Sequence, residues 1–181
     1  MNILLTYSSK TGNTKKVAKA IYEILPKDSI ICPIEEEPSF KDFDLILIGF
    51  WVDRGLPNAN AKKFMEKING KKIGIFGTLG AYPDSQHARD TIKRTKELLE
   101  PANEVVAEFL CQGKIDPKLT EKFKSLPSDH PHAMNEERRK RHEEAKKHPD
   151  STDLIQAQNV FKNLIYSLGG EDLYESRSKS I

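Results

Sequence analysis

The sequence predicts an α/β fold: a three-layer, doubly wound sheet of five parallel strands in the order 2-1-3-4-5. Three observations point there. Apolar runs of strand length alternate with stretches whose apolar residues recur at helical spacing. Two of the runs, DLILIGF (44–50) and KIGIFGT (72–78), are apolar almost without interruption, as strands covered on both faces are. Strands separated by helical patterns imply βαβ units with right-handed crossovers, and hence a parallel sheet.

The first strand lies in the run that reaches Tyr7, and KKVAKAIYEIL then carries Val17, Ile21, Ile24 and Leu25 as the inner face of a helix closed by Pro26. SIICPI (29–34) reads as a short second strand, followed by Glu35 to Glu37 and Pro38 as a surface connection. After DLILIGF comes a helix around Ala61 to Ile68, then KIGIFGT, then a helix from about Ser85 to Leu99, then the strand EVVAEFLCQG (104–113). Residues 115–150 form a charged helical insertion between strand five and the last helix. Within it Glu136 to Lys147 is helix-prone with almost no apolar face, which predicts a solvated helix or a flexible arm. Leu154, Ile155, Ala157, Val160, Phe161, Leu164, Ile165 and Leu168 mark an amphipathic helix that closes the sheet, and 169–181 is a polar tail. At 181 residues the chain is expected to be one domain, 1–181.

That strand order fixes where a ligand belongs, because open α/β sheets bind beyond the carboxyl ends of the strands where the connections diverge. Three loops converge there. The first follows LLTY and offers the hydroxyls of Ser8, Ser9, Thr11 and Thr14 with the Asn13 amide, while Gly12 accepts a conformation a Cβ resists. Backbone N–H groups ahead of a helix, backed by its dipole, form a cradle for a phosphate or similar anion. The second, from Gly49 to Asn58, carries Phe50, the chain's one tryptophan Trp51, Val52, Asp53, Arg54 and Gly55. The third runs from Phe76 through Thr78, Leu79, Gly80 and Tyr82 to Asp84. Trp51 and Tyr82 are candidate flat walls for a planar ring, and the small residues Gly77, Gly80 and Ala81 let backbone reach its rim.

Neither the G-x-x-x-x-G-K-[ST] loop nor the G-x-G-x-x-G fingerprint occurs. Ser9-Lys10-Thr11-Gly12-Asn13-Thr14 instead resembles the [ST]-x-[ST]-G-x-T phosphate loop of the flavodoxin family, and flavodoxin with FMN is itself a standing example of the crevice rule. The resemblance covers about two thirds of the chain and implies FMN as cofactor, with Lys10 and the other residues of the three loops around it. The second loop is similar both to the flavin loop of typical flavodoxins and, through R-G-x-P-x-A, to that of flavodoxin-fold quinone reductases. In typical members a glycine after the aromatic residue turns its carbonyl toward flavin N5 on one-electron reduction; Val52 stands there here. Arg54, set against Asp53 and Asp84, is expected to make the second reduction step less negative. The second and third loops and the His-Pro-rich insertion are also similar to a small subgroup associated with bilirubin reduction.

Three functions remain open on this reading: a carrier shuttling electrons between a reductase and an acceptor enzyme, which is favoured; an FMN-dependent NAD(P)H reductase of quinones or other small acceptors; and a flavin-free interaction module. No Ser/His/Asp, paired-carboxylate or Cys/His constellation falls on the three loops, so no dedicated acid or base is expected. Cys32 and Cys111 are far apart and read as buried, reduced thiols. The chain has a formal net charge of +2 and a pI near 8.4, unlike the acidic flavodoxins. Arg138 to Arg141 are flanked by glutamates on both sides, so no nucleic acid is expected, and the spacing of His130, His132, His142 and His148 predicts no metal. Without an N-terminal apolar region or a run of about 18 apolar residues, neither secretion nor a membrane span is expected, and the location expected is cytoplasmic.

Overall fold

A computed structural model of the protein describes residues 1–127, 129–130 and 132–169. The elements are β1 (Ile3–Tyr7), α1 (Asn13–Glu23), β2 (Ile30–Pro33), β3 (Leu45–Asp53), β4 (Leu56–Pro57), α2 (Ala59–Met65), β5 (Lys72–Leu79), α3 (Gln86–Leu99), β6 (Glu104–Gln112), α4 (Pro117–Lys124), α5 (Glu136–Ala145) and α6 (Ser151–Ser167). Five parallel strands lie in the order β2-β1-β3-β5-β6, which is the expected 2-1-3-4-5. The sixth strand, β4, was not foreseen: it pairs antiparallel with the end of β3, Val52 with Pro57 and Asp53 with Leu56. Arg54 and Gly55 turn the hairpin with φ of 52° and 76°, the doubly positive geometry of a two-residue turn matched to strand twist.

Period-two alternation sorts the strands onto two cores. Ile3, Leu5, Tyr7, Leu45, Leu47 and Phe76 pack against α1 and α6, whereas Leu4, Ile46, Ile48, Phe50, Ile73 and Ile75 pack against α2 and α3. Both faces are thus dry, and that is why β3 and β5 read as continuous apolar runs. Four of the helices, α3 to α6, begin where a side chain satisfies free N–H groups. Ser85 accepts from Ala88 N at the start of α3, Asn135 from Arg138 N at α5, and Asp150 and Asp153 form a reciprocal box at α6.

Several expectations need correction. Ile24 is only half-buried, because α1 ends at Glu23 and the chain is already turning toward β2. Ile155 is exposed on α6, whose buried face is Asp153, Ala157, Phe161, Leu164 and Ile165. The acids after β2 are not a mere surface link: Ile34–Glu36 form a 3-10 turn that aims Glu35 back at the first loop. The charged segment does hold the expected, largely solvent-facing helix, but that helix is anchored. Its α5 buries His142 and Ala145, His142 Nδ1 lies 3.0 Å from Thr120 Oγ1 of α4, and Phe123 packs among His132, His142 and the Arg138 guanidinium. The polar tail from 170 onward lies outside the described residues.

Candidate functional site

The three loops meet at the carboxyl ends of β1, β3 and β5, held there by strand register. β1 Tyr7 pairs with Gly49, and Trp51 at the end of β3 pairs with Thr78 at the end of β5. Gly12 heads α1 in the left-handed region, φ 91°, and its carbonyl accepts the Lys16 N–H at 3.0 Å. With no Cβ to resist that conformation, the chain turns directly into α1, whose first N–H groups have no carbonyl partners inside the helix.

The donors of the first loop divide into two sets. Ser9 Oγ accepts from Lys15 N at 3.2 Å and Thr11 Oγ1 from the Asn13 amide at 3.1 Å; a hydroxyl that accepts one bond still has its proton to give. Both lie at the rim of the loop, Ser9 half-buried and Thr11 exposed. The others make their contacts inward. Ser8 is buried, donating to Glu35 Oε1 at 2.7 Å and accepting from Asn58 Nδ2 at 3.0 Å. The Asn13 amide also donates to the Lys114 carbonyl at 2.9 Å, and Thr14 Oγ1 lies 3.0 Å from Thr78 Oγ1.

Glu35, Asn58 and Asn60 are site-supporting residues that the sequence reading missed. Asn60 Nδ2 joins Ser8 on Glu35 Oε1 at 3.1 Å. Burial alone pushes the Glu35 pKa up, but the bonds from Ser8 and Asn60 outweigh it and hold the carboxyl below its ordinary value. Asn58 was legible as the cap position before the α2 pattern; Glu35 was hidden in a run of three acids.

On the second loop, Trp51 and Val52 are half-buried at the mouth, while Asp53 and Arg54 are exposed on the hairpin. Phe50 does not line the mouth: alternation turns its fully buried ring into the α2/α3 core. A Cβ on Gly55 would lie 2.9 Å from Arg94 Nη1 and 3.3 Å from His87 Cε1, so the hairpin tip rests on α3. On the third, Thr78 and Leu79 belong to β5 and are buried, Gly80 is half-buried, and Tyr82 and Asp84 are exposed. The Tyr82 carbonyl accepts from Ser85 N and Oγ, and the Asp84 carbonyl from Arg89, fixing the turn into α3.

A fourth wall was not expected. The chain leaving β6 continues through Gly113 to Asp116, with Gly113 N donating to the Leu79 carbonyl at 2.8 Å. A Cβ on Gly113 would touch the Asn13 amide, and one on Gly80 would lie 2.8 Å from Ile115 Cγ1. Asp116 caps α4, accepting from Lys118 N at 3.0 Å, and pairs with Lys10 Nζ at 3.2 Å. The Lys118 N–H first and Lys10 second hold its carboxyl below the ordinary value. Asp-Pro before a helical stretch was a readable cap; its arrival at the first loop was not.

Other features lie elsewhere. A recess of about 630 Å³ lined by Gly70, Lys71, Glu100 and Val105 sits at the amino ends of β5 and β6, opposite the three loops. His148, Asp150 and Asp153 bring ligand-type atoms within 4.8 Å of one another, but their bonds are accounted for by the start of α6: Asp153 Oδ2 accepts from Asp150 N and lies 2.5 Å from His148 Nδ1. Burial raises the thiol pKa of both Cys32 and Cys111. Among the described residues no helix is long and apolar enough to cross a membrane.

Comparison with known proteins agrees with this geometry. The flavodoxin domain family matches residues 4–162. The flavodoxin-like domain-containing protein BilS of Clostridioides difficile (strain CD3) is 34% identical over 172 residues, covering 91% of this chain and 97% of that relative. The protein of the same description from Clostridium symbiosum (strain WAL-14163) is 26% identical over 191 residues, covering 93% and 98%. Among solved structures, a flavodoxin from the domain Archaea superposes with a TM-score of 0.59 at 16% identity, covering 93% of this chain and 99% of that one. Oxidised flavodoxin 2 from Bacillus cereus gives 0.55 at 20%, covering 92% and 99%.

Proposed function

The chain belongs to the flavodoxin family, and on that premise we propose that it binds FMN and carries electrons between a reductase and an acceptor enzyme. The first loop fits the cofactor's phosphate monoester. Its donor set is neutral and carries no carboxylate of its own, and Gly12 holds the turn open at φ 91° with no heavy atom within 4 Å of where a Cβ would stand. That left-handed glycine at the head of α1, with Trp51 and Tyr82 on the adjoining loops, is the observation that carries the reading.

When bound, FMN supplies one- and two-electron chemistry that no side chain can. The chain's own residues bind and orient. The N–H groups of the first turn of α1, with Ser9 and Thr11, hold the phosphate; Trp51 offers a flat apolar face and Tyr82 a second. Thr78, Gly80 and Ile115 close the floor and one side against water. Asp53 and Asp84 are exposed carboxylates on the second and third loops, which suits electron transfer at an outer edge to a docked protein.

A second reading rests on the hairpin tip. Gly55 lies beside the Arg94 guanidinium and the His87 ring, which sets Arg94 near Arg54 of the hairpin turn, and two guanidinium groups there suit a nicotinamide dinucleotide and therefore an NAD(P)H-dependent reductase of small acceptors. Two measurements decide. Stepwise anaerobic reduction of the FMN-loaded protein, followed by visible absorption, should show stoichiometric flavin reduced in resolved steps; a protein that stays colourless with added FMN sinks the reading. NADPH turnover with a quinone and no added reductase should be negligible for a carrier and sustained for the enzyme.

A further inference from the structure

Lys10 stands in two interactions at once. Its ammonium is 3.2 Å from the Asp116 carboxylate and 5.7 Å from the centroid of the Trp51 ring, over its face. The two partners differ in freedom. Lys10 is 59% exposed on a flexible stem, whereas Asp116 is 24% exposed and fixed by the Lys118 N–H, by Ile115 against Gly80 and by Asn13 on the Lys114 carbonyl. Asp116 is therefore the anchor and Lys10 the part that moves.

Stacked aromatic carbons approach to about 3.5–4.0 Å, closer than the ammonium stands, so a ring and the ammonium cannot share that face of Trp51. We propose that Asp116 and Lys10 form a latch on Trp51: the carboxylate parks the ammonium over the indole, and a flavin ring stacking there must displace it. The latch rests on the FMN reading for the identity of the ring. It makes the segment after β6 a determinant of flavin affinity although that segment lies some hundred residues from the phosphate loop.

Riboflavin isolates the ring from the phosphate, because it is neutral and lacks the monoester. Lys10→Met should bind riboflavin about three- to tenfold more tightly than wild type, and Asp116→Asn about two- to threefold, the range expected from one exposed ion pair and one cation–π contact. Raising the salt concentration screens the pair, so wild type should gain riboflavin affinity with salt and both variants should respond little. Both side chains are at the surface, and unchanged melting temperatures confirm intact folding. A second readout needs no flavin. Trp51 is the chain's one tryptophan, so in flavin-free protein its emission should change in Lys10→Met and in Asp116→Asn. Flavin uptake with riboflavin affinity and Trp51 emission both unchanged in the variants overturns the latch alone. A wild type that takes up neither riboflavin nor FMN overturns the FMN reading together with the displacement step.

Discussion

Thr14 Oγ1 and Thr78 Oγ1 lie 3.0 Å apart, buried between the first turn of α1 and the end of β5. The bond joins the first loop to the loop that carries Tyr82, and Trp51 is the strand neighbour of Thr78. Two loops far apart in sequence thus share one buried hydroxyl pair, and the third is held beside it by strand register.

Replacing one hydroxyl with a methyl leaves the other without a partner in a dry site, which costs about 1–3 kcal/mol. Thr78→Val should lower stability in urea melts by that amount. Thr14→Val combined with Thr78→Val should cost clearly less than the sum of the singles, because the stranded hydroxyl is gone.

Ser8 and Ser9 are adjacent in sequence and opposite in role. Ser8 closes a buried network with Glu35 and Asn58, so Ser8→Ala should destabilise by about 1–3 kcal/mol, since a carboxylate and an amide both lose a partner. Ser9 is half-buried at the loop rim with its proton free to give. Ser9→Ala should cost FMN affinity roughly tenfold with less than about 1 kcal/mol of stability, the scale of one hydrogen bond to a charged group. Equal effects of the two variants on both measurements would refute the division.

The fold and the three loops were legible because each depends on local pattern. Burial on both faces leaves continuous apolar runs in β3 and β5, and a hydroxyl-rich turn with Gly12 after a strand marks the head of α1. What stayed hidden depends on packing between distant residues. Asn13 reaches Lys114, and Lys10 reaches Asp116, across about a hundred residues, and nothing in either stretch alone signals the other. Phe50 was placed around the cofactor because it belongs to the second loop, yet strand alternation sends it and Trp51 to opposite faces. The hairpin escaped notice because a two-residue β4 is too short to leave a pattern; Arg-Gly at its turn was the one local cue.

Arg54 is held on the rim by a turn in which it takes a left-handed φ of 52°. Its cation favours the more negative reduced states of a bound flavin, so Arg54→Ala should move the second midpoint potential to more negative values. For one solvent-exposed charge acting through water the change should be about 10–30 mV. Anaerobic potentiometry on the FMN-loaded variant measures it, and an unchanged second potential removes Arg54 from the account.

Two histidines of the charged segment should answer pH in opposite senses. His148 joins Glu144 of α5 to Asp153 of α6, and its bond to Asp153, outweighing burial, raises its pKa above the ordinary value. Its stabilising contribution is therefore complete below the unfolded value of about 6.5 and is lost as pH rises through the folded value. His142 is buried between α4 and α5, and burial first, then Arg141 and Arg138, lower its pKa. Its contribution is complete above about 6.5 and is lost as pH falls through the lowered folded value. Hydrogen exchange should then show the start of α6 opening more readily as pH climbs above neutrality, after correction for the intrinsic rate, and the α4–α5 pair opening more readily toward pH 5. His148→Asn should flatten the alkaline limb of a stability profile by about 1 kcal/mol and leave the acid limb in place. His142→Asn should do the reverse, keeping the alkaline limb. A profile that loses both limbs in either variant would mean that the two groups titrate as one unit, against the separate contacts seen for each.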